Sequence, residues 1–203
     1  METSFPLNIE LFKYINASGN ANEVMVFLAK GLAVYAPFPV IAILVWFWVR
    51  KTAEARRSLM IAGIALGLGL AVNFTLAFLY YIPRPFEIGV GRALLSHGPE
   101  TSFPSDHATF LWSLGFGLLM TRPLRLPGGA IACLGSSVAW ARVYLGVHFP
   151  LDMAASLVIA ACAALVARGL SSRLDGNLFS TVERMNTHIL NIVARRKNAG
   201  DVG

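Results

Sequence analysis

The chain has 203 residues, of which 56% are hydrophobic and only 14% are charged. Soluble domains carry about a quarter charged residues, so this composition argues against a globular domain in water. The net charge of +6 would suit a nucleic-acid-binding protein, but the basic residues form short clusters between long apolar runs instead of one basic face. That pattern is typical of membrane spans with basic anchors. We therefore expect a lipid bilayer as the surroundings and no nucleic-acid partner.

The N-terminal half begins with a short amphipathic segment. Residues 5–17 predict a helix that lies at the membrane interface or packs against a bundle. The residues before it lack the basic stretch of a cleavable signal peptide. The first long apolar segment, 24–49, contains Pro37 and Pro39, which predicts either one kinked span or a short helix followed by a span. The second, 59–82, exceeds the roughly 20 residues that a spanning helix needs.

Three further apolar segments complete the predicted bundle. The third covers 108–120, with its start reaching back to residue 105, and the fourth and fifth cover 130–145 and 151–167. The third and fourth are marginal in length for a span, so we expect neighbouring helices to shelter them. The two cysteines, Cys133 and Cys162, lie inside apolar runs and are expected to be small core residues instead of a disulfide.

The C-terminal tail is polar from residue 171 onward. Its apolar residues recur at near-helical spacing, which predicts an amphipathic helix at the membrane interface; they are Phe179, Val182, Ile189 and Val193. The predicted fold class is all-α, an integral-membrane helical bundle of about five to six helices flanked by these two amphipathic helices. We divide the chain into a membrane-embedded domain, 1–173, and a cytoplasmic amphipathic tail, 174–203.

Ionisable residues within membrane segments are unevenly distributed. Each costs about 2.5–3.5 kcal/mol on insertion scales, so such residues usually mark function. They cluster at three places: Arg84-Pro85 after the second segment, Pro104-Ser105-Asp106-His107 before the third, and Arg142, His148 and Asp152 between the fourth and fifth. The polar loop 83–107 carries two of these places.

His148 and Asp152 are four residues apart, with Pro150 between them at the predicted first turn of the fifth helix. That spacing places both on one helical face. The carboxylate can then fix the tautomer of the imidazole and leave its other nitrogen free as a nucleophile. The same spacing also suits a purely structural pair that stabilises a helix end.

Arg84 and Arg142 admit two interpretations. Two guanidinium groups can hold a phosphoryl group by bidentate hydrogen bonds and stabilise the charge on its oxygens. Each could instead be an arginine whose charged head reaches out of the membrane into water. The presence of two arginines near two histidines favours the first interpretation.

Ser105, Asp106 and His107 stand where the third apolar helix begins. The free N–H groups of a helix N-terminus attract phosphate, and the Ser105 hydroxyl can add a donor. His107 has the position of a general acid for a departing oxygen. Ordinary N-capping by Ser105 or Asp106 is the alternative, and it is compatible with phosphate binding.

The motifs Arg84-Pro85, PSDH at 104–107 and ARVYLGVHFPLD at 141–152 resemble, in order and spacing, the signature of the type 2 phosphatidic acid phosphatase superfamily. The resemblance implies a helical arrangement covering nearly the whole chain and hydrolysis of a lipid phosphate. It implies that His148 attacks phosphorus, that Asp152 orients it and that His107 protonates the leaving group. It also implies a set of phosphate ligands, namely Arg84, Ser105 and Arg142, with Asp106 and Pro85 as possible supporting residues.

The chain departs from the family pattern at three positions. Ala77 stands where a lysine is usual, Asp106 replaces the glycine of the second motif, and Ala141 replaces the serine that opens the third. The missing lysine removes one phosphate ligand. This lysine-poor first motif and the opening LNIELFKYINA resemble the bacitracin-resistance type of undecaprenyl-diphosphate phosphatase. That resemblance implies hydrolysis of undecaprenyl diphosphate through a phosphohistidine.

Other functions are left open by the sequence. The substrate could be phosphatidylglycerol phosphate or phosphatidic acid, or the enzyme could pass phosphate to a lipid acceptor. A non-enzymatic membrane protein with an internal polar network is a further alternative, although a transporter would be expected to show repeats and this chain shows none. Acidic residues near the motifs are few, so we expect no required cofactor and no metal site, while Asp106 leaves a supporting divalent metal possible. The oligomeric state is not predicted.

The basic residues predict an orientation. They concentrate in 50–57, in 122–125 and from 168 into the tail, and these regions share one side if five segments each cross once. Basic loops favour the cytoplasm. We therefore expect a multi-pass protein of a bacterial inner membrane with a cytoplasmic C-terminus. The catalytic residues would then face the periplasm or the cell exterior.

Overall fold

The structure, a computed structural model, describes residues 6–174 and 178–188. Within these ranges the chain is helical and contains no strand, which confirms the all-α prediction. Residues 180–188 are also α-helical. The named elements in chain order are α1 (Pro6–Ile15), α2 (Glu23–Tyr35), α3 (Pro37–Arg50), α4 (Ala53–Leu79), a short 3₁₀ helix (Pro85–Ile88), α5 (Asp106–Leu119), α6 (Arg125–Tyr144) and α7 (Pro150–Leu174).

Two helices, α4 and α7, are long and apolar enough to cross a membrane, each with a mean hydropathy of 2.0 over its best window. Helices α2 and α3 pass the same test only as a pair, and they meet at an angle of 47°. The bend falls where Pro37 occupies the first turn of α3, because proline cannot donate a hydrogen bond to the preceding turn. Neither helix alone is long enough for a span, so the second alternative for 24–49, a short helix followed by a span, is not observed; the single kinked span stays a prediction.

The shorter helices α5 and α6 lie at the centre of the bundle. Most of α5 is buried, and it packs between α4, α6 and α7. A side chain at Gly115 would collide with the backbone of α6, and one at Gly117 with the backbone of α4. Small residues allow helices to approach this closely. The expected shelter of the marginal segments is therefore present. No such approach occurs at Gly63 or Gly67, where the sequence also shows small-residue spacing.

The outer surface of the bundle is apolar. Large hydrophobic side chains such as Phe27, Trp46 and Phe78 are exposed along α2, α3 and α4. An apolar surface of this extent is suited to contact with lipid tails. Cys133 and Cys162 are free thiols that also lie on this surface, so the expectation that they are core residues was wrong. Hydropathy alone does not distinguish a core-facing position from a lipid-facing one.

Helix α1 packs against the bundle and braces the turn that follows α6. Phe12 is fully buried and makes an edge-to-face contact with Phe149, with ring centroids 5.3 Å apart. The Asn16 amide donates to the Tyr144 carbonyl at 3.0 Å, and Asn8 accepts from the Leu151 N–H at 3.0 Å. The second of the two predicted settings for residues 5–17 is therefore the one observed.

The described part of the tail packs against the opposite end of the bundle. Phe179 is buried, Glu183 forms a salt bridge with Arg56, and Asn186 accepts a hydrogen bond from the Trp48 indole at 3.1 Å. Ile189 and Val193, the remaining apolar positions of the predicted helix, lie outside the described residues. The division of the chain at residues 173 and 174 stays a prediction.

The position of α1 can be tested by removing its buried ring. We expect Phe12→Ala to destabilise the protein by about 3–5 kcal/mol, because it leaves a cavity against Phe149. The measurement is the thermal unfolding midpoint of the purified protein in a mild detergent. Tyr14→Ala is the matched control, since Tyr14 is 90% exposed on the same helix. Equal midpoints for the two variants would contradict the packing described for α1.

Candidate active site

The three polar clusters of the sequence meet at one end of the bundle. This end is formed by the C-termini of α4 and α6 and the N-termini of α5 and α7. A cavity of about 460 Å³ opens between them. Its lining includes both predicted arginines and three of the four histidines: Arg84, Arg142, His97, His107 and His148.

His148 is 1% exposed and is held from one side by Asp152. Its Nδ1 lies 3.3 Å from Asp152 Oδ2, as the sequence spacing predicts. The same carboxylate oxygen accepts from the Phe149 N–H at 2.8 Å. With Nδ1 donating to the carboxylate, the lone pair of the neutral imidazole is on Nε2, on the side of the ring that faces Arg84.

A tight turn between α6 and α7 positions His148. The turn begins with Gly146 at φ +81°, a backbone conformation that residues other than glycine rarely adopt. A side chain at Gly146 would also collide with the Arg92 carbonyl. The turn closes when the Val147 N–H donates to the Arg142 carbonyl at 3.1 Å, and Pro150 starts α7. The predicted place of Pro150 in the first turn is confirmed.

Arg84 is 4% exposed, so its head does not reach out into water. Its guanidinium donates to three main-chain carbonyls, those of Glu100 at 3.0 Å, Val147 at 2.8 Å and Thr101 at 3.2 Å. Its Nη1 is also 3.2 Å from His148 Nε2. Because carbonyls are neutral acceptors, the positive charge of Arg84 stays available beside the imidazole.

Arg142 is 3% exposed and enters the cavity from α6. One terminal nitrogen donates to the Ala33 carbonyl at 3.3 Å, and the other lies 3.4 Å from His97 Nε2. Its Nε and the Ser105 hydroxyl are buried with no hydrogen-bond partner within the described part of the chain. Buried polar groups without partners cost about 1–3 kcal/mol each, so they need an explanation.

The first turn of α5 brings the remaining motif residues to the cavity. Ser105 occupies the N-cap position but makes no side-chain capping bond, so capping by its hydroxyl is not observed. Its backbone N–H donates to Ser156 instead, at 2.9 Å. His107 is half-buried and lines the cavity, while Asp106 is exposed at its edge. Asp106 accepts from the Asn73 amide at 2.9 Å.

The remaining predicted residue, Pro85, is buried but does not line the cavity. It begins the 3₁₀ helix that follows Arg84. The Arg84 N–H donates to Glu87 at 2.7 Å within this helix. Pro85 therefore shapes the chain next to Arg84.

The charge state of the loop histidines follows from their surroundings. Burial lowers the pKa of His148 well below its ordinary value, and the charges of Arg142 and Arg84 lower it further. Burial also lowers the pKa of His97, and the nearby Arg84 acts in the same direction. Both imidazoles are therefore neutral at neutral pH. A neutral His148 has the lone pair that a nucleophile requires.

Two residues of the site were missed in the sequence. Ser102 is fully buried, donates to Asp152 Oδ2 and lies 3.4 Å from His148 Nδ1. His97 contacts Arg142 across the cavity. Both belong to the loop 83–107, which folds back over the cavity without a regular spacing that a sequence pattern could detect. Only their polar residue type within an otherwise apolar chain was a signal.

The described residues contain no group of three or more His, Cys, Asp or Glu side chains close enough together to hold a metal ion. That the protein requires no cofactor stays a prediction from the sequence, as does a supporting metal at Asp106.

A membrane-spanning helical bundle with arginines and histidines around one cavity indicates a membrane enzyme that acts on a phosphate group. The PAP2 superfamily model matches residues 58–174, and the chain belongs to the PAP2 superfamily. It is 34% identical over 181 residues to the putative undecaprenyl-diphosphatase YbjG of Escherichia coli (strain K12), covering 87% of this chain and 89% of that protein. It is 30% identical over 154 residues to the undecaprenyl-diphosphatase BcrC of Bacillus subtilis (strain 168), covering 76% and 79%.

The fold is also found in a solved structure. The crystal structure of Aquifex aeolicus LpxE superposes with a TM-score of 0.67 at 21% sequence identity, over 82% of this chain and 97% of that one. This likeness shows a shared fold; the spanning helices and the membership of the PAP2 superfamily identify the chain as a multi-pass membrane protein. The predicted family and fold class are confirmed.

The hydrogen bond from Ser102 to Asp152 gives a test of the geometry around His148. We expect Ser102→Ala to lower kcat by about tenfold or more. Without the Ser102 hydroxyl, the Asp152 carboxylate loses one of the hydrogen bonds that fix it beside the imidazole of His148. The measurement is phosphate release from a lipid diphosphate. Ser137→Ala is the control, since Ser137 is exposed on α6 and bonds only within its own helix. Unchanged kcat in Ser102→Ala would contradict a positioning role for Ser102.

Proposed function

We propose that the chain hydrolyses undecaprenyl diphosphate to undecaprenyl phosphate and inorganic phosphate in the cavity between Arg84, Arg142 and His148. The observation that carries the proposal is the orientation of His148, whose Nε2 lies 3.2 Å from Nη1 of the buried Arg84 guanidinium. The curated relatives named undecaprenyl-diphosphatase support the lipid diphosphate as substrate. They do not favour the other lipid phosphates, and membership of a phosphatase superfamily argues against a non-enzymatic role.

In the first step His148 Nε2 attacks the terminal phosphorus. The bond from that phosphorus to the bridging oxygen breaks, and undecaprenyl phosphate leaves. His107, across the cavity on α5, is the group proposed to protonate the departing oxygen. The imidazole becomes positive as the phosphohistidine forms, and Asp152 beside Nδ1 stabilises that charge.

In the second step a water molecule attacks the phosphohistidine. His107 gave up its proton in the first step and is now neutral, so it can accept a proton from the water. The bond between phosphorus and Nε2 breaks, and inorganic phosphate is released. His148 returns to the neutral form that the buried turn favours.

The transferred phosphoryl group needs donors for its oxygens. Arg84 supplies an Nη1 that now contacts His148 Nε2, and a phosphate oxygen would replace this contact when the nucleophile attacks. The buried Nε of Arg142 and the hydroxyl of Ser105 have no partner in the described ranges. A bound phosphate would satisfy both, which would account for their presence in the interior.

We also propose the sidedness that the basic residues predict. The cavity lies at the end of the bundle opposite to Arg56, Arg122 and Arg168, which carry the bias toward the cytoplasm. The cavity would then open toward the periplasm or the cell exterior, in a bacterial plasma membrane. A carrier diphosphate released on that face would reach it directly.

The function is tested by measuring phosphate release by the purified protein. The panel comprises undecaprenyl diphosphate, phosphatidylglycerol phosphate and phosphatidic acid. We expect the diphosphate to be the preferred substrate, by kcat/KM. Preference for either phospholipid would overturn the proposed substrate but keep the histidine chemistry.

The nucleophile is tested by His148→Ala, which should reduce phosphate release by several orders of magnitude without preventing insertion into the membrane. Rapid quenching with a substrate labelled on its terminal phosphate should place the label on His148 in the unmodified protein. His188→Ala is the matched control, because His188 is exposed in the tail. Label recovered on Ser105 or Asp106 would disprove the assignment.

The sidedness is tested with single cysteines in a background where Cys133 and Cys162 are replaced. Ala93→Cys and Ala53→Cys form a matched pair, since both alanines are exposed and lie at opposite ends of the bundle. In intact cells a membrane-impermeant thiol reagent should label the first and not the second. The reverse pattern would place the catalytic cavity in the cytoplasm.

A further inference from the structure

His97 is a titratable side chain of the catalytic cavity that the proposed hydrolysis does not use. It belongs to the loop 83–107 and lines the cavity together with His107, Arg142 and His148. A protonated imidazole donates hydrogen bonds from both ring nitrogens, so a histidine in this place can bind a phosphate oxygen. The position of His97 within the cavity indicates which part of a substrate it contacts.

One edge of the Arg142 guanidinium leads to His97. Nη1 donates to the Ala33 carbonyl at 3.3 Å, whereas Nη2 lies 3.4 Å from His97 Nε2. The N–H groups of Nε and Nη2 point in parallel, which suits two oxygens of one anion or of two linked phosphates. Arg56 uses the same two nitrogens for the two oxygens of Glu183. The donor edge of Arg142 therefore extends from Nε, proposed above to bind the transferred phosphoryl group, to the position of His97.

The burial of the side chains orders a diphosphate along the cavity. The groups proposed to contact the transferred phosphoryl group are buried, namely Arg84, Ser105, Arg142 and His148. His97 is half-buried, as is His107, the group proposed to protonate the bridging oxygen. The terminal phosphate must lie at the buried end to be attacked, and the lipid chain must leave through the opening. The phosphate that stays on the lipid then lies at the half-buried level, beside His97.

The hydrogen bonds of the His97 ring determine how it can meet a phosphate oxygen. Nδ1 lies 3.2 Å from the Gly98 carbonyl, which assigns the hydrogen of the neutral ring to Nδ1, and Nε2 then accepts from Arg142. A phosphate oxygen beside Nε2 stabilises the protonated ring, as does the nearby Glu100, whereas Arg84 and Arg142 oppose it. The added proton comes from the surrounding water. Nε2 then donates to the phosphate while Nδ1 keeps the Gly98 carbonyl.

We propose that His97 and Nη2 of Arg142 bind the phosphate that stays on the lipid when the terminal phosphate is transferred. His97 is then a specificity-determining residue that favours a lipid diphosphate over a lipid monophosphate, which has no second phosphate to reach it. When the bond from the terminal phosphorus to the bridging oxygen breaks, its electron pair stays with the leaving phosphate, and His97 stabilises that charge. The inference rests on the hydrolysis proposed above. In the alternative, His97 only orients Arg142, and both kinds of substrate depend on it equally.

The kinetic test compares two substrates that differ only in the second phosphate, undecaprenyl diphosphate and undecaprenyl phosphate. His97→Ala removes the ring, and His97→Gln keeps a neutral N–H donor. Ser96→Ala is the matched control, because Ser96 is exposed on the same loop and does not line the cavity. Each full-length variant is purified in a neutral detergent. The quantity measured is the ratio of kcat/KM for the diphosphate to kcat/KM for the monophosphate.

We expect His97→Ala to lower this ratio by about tenfold or more, because a hydrogen bond to a charged group is lost. His97→Gln should lower it less, and Ser96→Ala should leave it unchanged. A disturbed orientation of Arg142 would lower both kcat/KM values alike, so an unchanged ratio in His97→Ala overturns the inference. An equal fall of the ratio in Ser96→Ala also overturns it, since a disturbed loop would then explain the effect. Should His97→Ala not fold, His97→Gln is compared with Ser96→Ala by the same criteria.

A binding measurement separates this inference from the proposed function. Methylenediphosphonate, whose carbon bridge resists hydrolysis, and inorganic phosphate are each titrated against the unfolding temperature of the protein. We expect the unmodified chain to bind the diphosphonate more tightly than phosphate, and His97→Ala to reduce this preference about tenfold.

The two readouts distinguish the possible failures. If the unmodified chain hydrolyses undecaprenyl diphosphate but His97→Ala keeps the substrate ratio, only the role of His97 is refuted. If the unmodified chain hydrolyses only one of the two substrates, or neither, the binding preference decides, and an unchanged preference in His97→Ala overturns the inference. Absence of diphosphate hydrolysis by the unmodified chain refutes the proposed function separately.

Discussion

The buried carboxylate of Asp152 determines the geometry of the catalytic end. One of its oxygens accepts from the Ser102 hydroxyl and the Phe149 N–H and lies 3.3 Å from His148 Nδ1. A buried charge is tolerated only when its hydrogen-bonding capacity is used. Asp152 therefore ties the long loop before α5 to the turn before α7. The turn before α7 also presents the Val147 carbonyl to Arg84. The guanidinium of Arg84 and the imidazole of His148 are therefore positioned together.

The apolar bundle supplies the rigidity that this arrangement needs. Helix α5 carries His107 and lies in contact with α4, α6 and α7, and glycines on it let the backbones approach closely. Because α5 has only 14 residues and is mostly buried, it does not need to be apolar on a lipid-facing surface. Helix α1 closes the structure by placing Phe12 against Phe149 beneath the catalytic turn. The groups proposed to be catalytic are thus positioned by helices that pack closely against one another.

The sequence predicted the helices and the motif residues because both leave local signals. Long apolar runs predict the spanning helices. The four-residue spacing of His148 and Asp152 predicts that the two side chains meet on one face of a helix. Long-range contacts leave no such signal. Ser102 reaches Asp152 from 50 residues away, and Asn73 reaches Asp106 from 33 residues away, through the packing of separate helices and loops. The lipid-facing cysteines were misplaced for the same reason, since lipid and protein core have similar polarity and hydropathy does not separate them.

The partners of the arginines explain how the chain can keep the positive charge proposed to bind phosphate inside the bundle. Arg56 is paired with a carboxylate, which neutralises it and leaves a structural contact. Arg84 instead donates to main-chain carbonyls, and Arg142 donates to one carbonyl and contacts a histidine. Neutral acceptors orient a guanidinium and satisfy part of its hydrogen-bonding capacity, but they do not cancel its charge. An anion entering the cavity therefore supplies the missing countercharge, and its binding relieves the cost of keeping two cations buried.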